Sequence, residues 1–263
     1  VEPIQKLLSE TENDWEAVLF CLLAKNFGLN TNGEILMKVA KSIPFSMVRK
    51  ESSELENLEA LFFGRSGFLE KDCEDIYSRD LKFRWNYIQE KYQLKKIVVE
   101  SIQFFKHRPD NFPTIRLAQL AQLYFSKRNL FSQLLEAKTV AAFYEIFNVQ
   151  VSEYWKTHYQ FDKESPKKRK ALTASFIDLL LINTIIPLKF MYSNSLGIDV
   201  SEELIDLLLK IPAEKNAVID KFSSFGIDVE NAFETQSLLQ LKNEYCNQKR
   251  CMNCVIGLEL LKS

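Results

Sequence analysis

Asn13-Asp14-Trp15-Glu16-Ala17-Val18-Leu19-Phe20-Cys21-Leu22-Leu23-Ala24-Lys25-Asn26-Phe27-Gly28 is the stretch whose reading decides the fold class. Asn13 or Asp14 offers a side-chain acceptor to the free N–H groups at the start of a helix, and Gly28 stands where a left-handed residue ends one. Between them Trp15, Val18, Leu19, Phe20, Leu22, Leu23 and Phe27 are apolar nearly all round. The spacing therefore predicts a helix over Trp15–Phe27 buried at the centre of a core, not lying on its surface.

The same punctuation continues outward. Asn32 is read as opening a helix over Glu34–Ser42 that Pro44 stops, and Ser53 as opening another that carries Leu55, Leu58, Leu61 and Phe62 and ends near Gly64. Asp72–Tyr92 repeats the pattern with Ile76, Leu81, Trp85, Ile88 and Tyr92. Lys95–Phe105 is ambiguous: Ile97-Val98-Val99 favours strand, whereas length and neighbours favour helix. Pro113 suits a helix's first turn, where its missing N–H costs nothing. Further helices are expected over Thr139–Phe147, Ser152–Phe161, Leu172–Tyr192 (with Pro187 kinking or dividing it), Ser201–Lys210, Ala213–Phe225 and Phe233–Tyr245. Gly197-Ile198-Asp199-Val200 recurs as Gly226-Ile227-Asp228-Val229, a shared helix-end device with Gly as the stop. The expectation is an all-α fold, a compact multi-helix domain over 1–263. Polar Asp162–Lys170, with Ser165-Pro166 and four consecutive basic residues, is its best linker, subdividing it into helical subdomains 1–161 and 171–263.

Composition agrees. Apolar residues make up 46% and charged residues 26%, and twenty Phe, nine Tyr and three Trp supply a sizeable core, whereas seven Gly and seven Pro are few for a loop-rich β protein. Net charge is -1, so no global field draws the chain to nucleic acid or an anionic membrane. The apolar runs Val18–Ala24 and Leu179–Ile182 are too short to span a bilayer, and no membrane partner is expected. The Val-Glu-Pro start lacks Met and a signal pattern, so the chain is expected to begin part-way through a gene product or to have been processed. Five Cys, three of them crowded near the carboxyl end, fit a reducing, cytoplasmic setting better than a secreted disulfide framework.

Two features carry chemistry. Cys246, Cys251 and Cys254 have the soft ligands and short spacing that zinc or an iron–sulfur cluster uses, with Lys249 and Arg250 beside them. A fourth ligand would have to come from Cys73, from His107 or His158, or from outside the chain. The alternative is reduced thiols packed where terminal helices meet. The second feature is His107-Arg108-Pro109-Asp110-Asn111-Phe112-Pro113-Thr114-Ile115-Arg116, which sets two Arg around a helix start whose free N–H groups attract anions. Arg108, Asn111, Thr114 and Arg116 are the candidate anion-binding residues. Against that, Asn111 or Thr114 caps the helix and Arg116 pairs with a carboxylate. Lys167–Lys170 reads as a solvated linker without aromatics to stack bases. In Tyr154, Trp155, His158, Tyr159 and Phe161 the His reads as packed, not catalytic. Asp72/Asp75 and Glu202/Glu203 fit first-turn helix stabilisation. No Walker loop, dinucleotide turn, His-Glu-x-x-His or nucleophile elbow is present, so no catalytic constellation is assembled.

Leu58–Gly64, Arg108–Leu120, Tyr154–Tyr159 and the cysteines Cys246, Cys251 and Cys254 give the chain a resemblance to a bacterial family of uncharacterised proteins, domain-of-unknown-function family 2851. That resemblance implies longer proteins, of which this chain is similar to the helical carboxyl-terminal part. It implies an amino-terminal region similar to a restriction-endonuclease-type domain, and some nucleases of that type hold a cluster on cysteines near the carboxyl end. The expected function is thus a helical accessory part of a larger nucleic-acid-processing protein, with zinc or an iron–sulfur cluster on the cysteines and nucleic acid or a protein as partner. The alternative is a helical protein-interaction scaffold whose cysteines are structural.

Overall fold

The computed structural model describes residues 2–71, 74–97 and 100–262. The chain is 66% helical, and the one sheet among the described residues is a short antiparallel hairpin of His158–Gln160 with Lys163–Glu164, so the fold is all-α. It divides into two compact units, one of residues 1–137 and 141–196, the other of 138–140 and 197–263. The polar 162–170 segment thus lies within the first unit, and the division falls at Leu196/Gly197.

In the first unit the helix Trp15–Phe27 occupies the centre, with Val18, Leu23 and Phe27 wholly buried. Asp14 caps it, its carboxylate accepting from the Glu16 and Ala17 N–H groups at 3.0 Å. Gly28 does not take the left-handed conformation expected of it. Its φ is -72°, and Leu29 turns the chain instead, at +53°. Gly is needed here for close approach: a Cβ would lie 2.6 Å from the Asn32 carbonyl group. The next helix accordingly begins at once and runs Leu29–Lys41, which puts Asn32 inside it, not at its cap. Buried Asn32 instead grips another segment: its Nδ2 donates to the Gln103 carbonyl and its Oδ1 accepts from the Gln103 N–H, both at 2.8 Å. With the backbone held that way, residues 95–97 and 100–104 are neither helix nor strand, contrary to the helix expected over Lys95–Phe105; Val98 and Val99 lie outside the described residues.

Leu55–Arg65 and Ile76–Tyr92 pack side by side, and Gly64 is the point of contact, since a Cβ there would fall 2.2 Å from the Trp85 ring. Leu81, Trp85 and Ile88 face the core as expected, whereas Ile76 is 80% exposed. The helix beginning at Ser152 is shorter than its pattern implied. It covers Glu153–Thr157 and gives way to the hairpin at His158. The run Ala174–Ser195 is continuous despite Pro187, because a π-turn over Leu181–Ile185 absorbs the missing N–H. That run has mean hydropathy 1.6 and is long and apolar enough by composition to cross a membrane, and 56% of its window is buried, as a core helix is.

The second unit contains the helices Ser201–Lys210, Ala217–Ser223, Ala232–Gln240 and Val255–Lys262, with a π-turn over Leu241–Cys246. Gly226 ends a helix at φ +78°, and Gly197 takes +71° at the other copy of the repeated tetrapeptide, the left-handed conformation that glycine adopts without steric cost. Leu204, Leu207, Ile211, Ile219 and Ala232 are its buried apolar residues.

Candidate functional site

The helix Pro113–Ser126 starts with Pro at its first position and no side-chain cap, so neither Asn111 nor Thr114 serves it as expected. Thr114 is buried and donates to the Tyr159 carbonyl at 2.5 Å. Asn111 accepts from Arg116 Nη2 at 2.6 Å, and Arg116 Nη1 donates to Gln119 Oε1 at 2.9 Å. Arg116 is only 5% exposed, and its guanidinium lies 3.7 Å from the centre of the Phe176 ring. Its hydrogen-bond partners are thus neutral carboxamides and its face is covered by an aromatic ring, not by a carboxylate. Its Nε–H has no hydrogen-bond partner among the described residues. Burial draws the group down to about 10, so it stays cationic at neutral pH. Arg108 is exposed, and its carbonyl accepts from the Asn111 N–H at 2.8 Å.

A second buried cation joins the first. Gln119 Nε2 donates to the Lys170 carbonyl at 3.3 Å, and Lys170 Nζ donates to the carbonyls of Trp155 and His158 at 2.6 and 2.7 Å. The Lys170 ammonium also lies 3.6 Å from the centre of the Tyr159 ring, and burial lowers its pKa to about 8. The last residue of the basic run is therefore a structural clamp, not a solvated linker residue. Beside it Lys168 and the Tyr159 hydroxyl both hold Asp110, at 2.6 and 3.0 Å. The 107–119 and 154–170 segments are locked together by this network.

Next to it opens a polar cleft of about 600 Å³, within the usual size range of small-ligand sites. One wall comes from the elbow between the first two long helices. A Cβ on Gly33 would lie 2.9 Å from the Lys25 carbonyl, and this close approach brings Lys25, Asn26, Asn30 and Thr31 to one edge. The opposite wall is Lys106, His107 and Asn111, and Asn183 comes from the long apolar run. Asn32 fixes the second wall through Gln103 and lies 3.4 Å from His107 Nε2. Burial and the nearby Arg116 charge both push His107 below its ordinary pKa, so it is neutral at physiological pH. Lys25 is paired with Glu34 at 2.7 Å, also on the cleft wall. Arg116 takes the Asn111 oxygen and leaves its NH2 group as a donor. Of the four anion-binding candidates, then, Asn111 lines the cleft, Arg116 orients it from behind, Thr114 is spent on the hairpin, and Arg108 is exposed beside His107 without lining the cleft. Lys25, Asn26, Asn30, Thr31 and Asn183 escaped sequence reading because they come from separate helices. The asparagines of Asn26-Phe27-Gly28-Leu29-Asn30-Thr31-Asn32 are the one signal that could have marked them.

In the aromatic cluster Trp155 is buried, with Tyr154, His158, Tyr159 and Phe161 half-buried around it. The Trp155 ring stacks on Phe63 at 5.1 Å and its Nε1 donates to the Tyr77 hydroxyl at 3.0 Å. Tyr77 in turn donates to Glu59 Oε2 at 2.5 Å, and Ser152 donates to Glu59 Oε1 at 3.1 Å. His158 stacks on Tyr154 at 4.0 Å with Nδ1 held 3.0 Å from the Tyr154 carbonyl oxygen, a packed histidine as expected, though at the start of the hairpin and not on the helix its spacing implied.

Among the described residues the cysteines do not assemble a ligand set. No group of three or more His, Cys, Asp or Glu that could hold a metal occurs among the described residues, and Cys73 lies outside them, as does Asp72. Cys246 ends a π-turn, Cys251 opens a separate turn, and both are exposed free thiols; Cys254 is half-buried and free. Cys21 is buried in the central helix. Among the described residues these donors are not brought together as a zinc or iron–sulfur centre requires.

One family model, described as a protein of unknown function (DUF2851), matches residues 1–217. The match takes in the whole cleft and leaves out Cys246, Cys251 and Cys254. No match was found among curated proteins or among solved structures.

Proposed function

We propose, from the premise that this chain belongs to the DUF2851 family, that its cleft binds a phosphate-bearing ligand, a nucleotide or a stretch of nucleic acid. The chain would act as a helical accessory part of a larger nucleic-acid-processing protein in a reducing, cytoplasmic setting. The observation that carries this reading is the charge imbalance behind the cleft. Arg116 hydrogen-bonds to carboxamides and lies on an aromatic face; the Asp110 charge offsets it in part, and its field still reaches His107 on the cleft wall, whose pKa it lowers. Lys106 adds an exposed ammonium at the mouth. Asn26, Asn30, Asn111 and Asn183 add carboxamides: the Asn26 NH2 group is spent on the Leu22 carbonyl and the Thr184 hydroxyl and leaves its oxygen as an acceptor, Asn183 gives one N–H to the Leu179 carbonyl, and Asn111 keeps its NH2 group as a donor. Arg116 itself has both terminal nitrogens committed and cannot fork a phosphate, so its role is to position Asn111 and supply charge. The proposed role needs no metal.

Fluorescence anisotropy with a labelled single-stranded oligonucleotide tests this. Asn111→Ala is expected to weaken binding about tenfold, equivalent to about 1.4 kcal/mol. Lys106→Ala is expected to lower the salt slope by about 0.7, one phosphate contact on a single strand. Unchanged affinity and slope in both variants would reject the assignment.

A second reading, a scaffold for a protein partner, draws support from the second unit, where Leu209, Phe225 and Ile227 are 47%, 69% and 45% exposed. It gains if no oligonucleotide or nucleotide binds.

A further inference from the structure

We infer that Cys251 and Cys254 form a reversible dithiol/disulfide pair that exchanges with small-molecule disulfides. The two residues bracket a 3-10 turn over Cys251–Asn253, in which the Asn253 N–H bonds to the Arg250 carbonyl at 3.0 Å and the Cys254 N–H to the Cys251 carbonyl at 3.2 Å. In such a turn residues three apart lie one above the other. Their Cα atoms are within about 7 Å, which overlaps the span of about 4.4–6.8 Å that a disulfide bridges. Both thiols are free, Cys251 exposed and Cys254 half-buried.

The turn is held in place from its far side. Gly257, in the helix Val255–Lys262, lies so close that a Cβ would meet the Cys251 carbonyl oxygen at 2.4 Å. The Leu258 N–H bonds to the Cys254 carbonyl at 2.8 Å, so Cys254 is tied to the first turn of that helix. Cys246 belongs to the preceding π-turn, and between it and Cys251 the chain reverses at Lys249, whose φ is +53°.

The exchange balances with a disulfide as oxidant. The more exposed Cys251 gives up its proton, and its sulfur attacks one sulfur of the small disulfide and expels a thiolate. The Cys254 sulfur, its proton likewise lost, then attacks Cys251 in the mixed disulfide and expels the second thiolate. Two electrons pass from the cysteine pair to the small disulfide, and the two protons end on the released thiols. An excess of small thiol reverses both steps.

Incubation in glutathione buffers of increasing oxidised fraction, followed by thiol alkylation, tryptic digestion and mass spectrometry, tests the pair. Cleavage after Lys249 and Arg250 separates Cys246 from the other two, which stay together on the peptide 251–262. The expected result is loss of two hydrogens within that peptide, unchanged in Cys246→Ser. Cys251→Ser and Cys254→Ser should each abolish that loss and carry a glutathione adduct instead. Gly257→Ala should need a more oxidising buffer, because the turn must shift to admit the methyl group. A cross-link that contains Cys246, or separate glutathione adducts on Cys251 and Cys254 in the unaltered chain, would overturn the inference.

Discussion

Replacing Trp155 by Ala is expected to cost the first unit about 3–5 kcal/mol. The side chain is wholly buried and is stacked on Phe63, with the rings of Phe161 and Tyr77 set edge-on to it at 5.0 and 6.2 Å. Truncation would leave a cavity the size of an indole. It would also remove the donor to the Tyr77 hydroxyl, itself one of two hydroxyls holding the buried Glu59. Trp155→Phe keeps most of the volume and loses that hydrogen bond, so a smaller loss of about 1–2 kcal/mol is expected. Urea unfolding followed by far-UV circular dichroism gives both values. A loss below about 1 kcal/mol for the Ala variant would mean that Trp155 is not the keystone of the packing between Leu55–Arg65 and the hairpin.

Glu59→Gln is expected to change the pH dependence of stability. Glu59 is wholly buried, it accepts from the Tyr77 and Ser152 hydroxyls, and burial raises its pKa from 4.5 to about 7. The native state therefore binds the proton more tightly than the unfolded chain does. Stability is greatest below the unfolded value and falls as pH rises from 4.5 towards 7, by about 3 kcal/mol at about 1.4 kcal/mol per pH unit. Gln keeps an acceptor for Tyr77 and cannot ionise. The variant should be more stable than the natural chain at about pH 8, with the difference vanishing near about pH 4.5. Equal stability of the two proteins at both pH values, by thermal unfolding, would contradict an ionisable group buried there without a cation.

Residues whose role is periodic burial were legible in the sequence. Trp15–Phe27 and Ser201–Lys210 have the bounds expected of them, and Asp14 caps the first of these. Residues whose role is set by a distant partner were not. Asn32 looks like a cap because Asn caps helices, but Gln103 claims its side chain. Lys170 looks like the end of a solvated run, yet two carbonyls and the Tyr159 ring draw it inside. His158 continues a helical spacing that the hairpin interrupts. The candidate site shows the same limit. Arg116 was visible as a cation at a helix start, but its enclosure by Asn111, Gln119 and Phe176 depends on tertiary packing, as does the meeting of Lys25, Asn26 and Asn183 across the cleft.

Titration of isotopically labelled protein with a nucleoside monophosphate, followed by NMR of the side-chain NH2 and imidazole signals, tests the cleft most directly. The expected result is saturable shifts of the Asn111 NH2 and His107 ring signals together with those of Asn26 and Asn183. Absence of saturable shifts, or shifts confined to exposed cations outside the cleft such as Arg108 and Lys167, would contradict it.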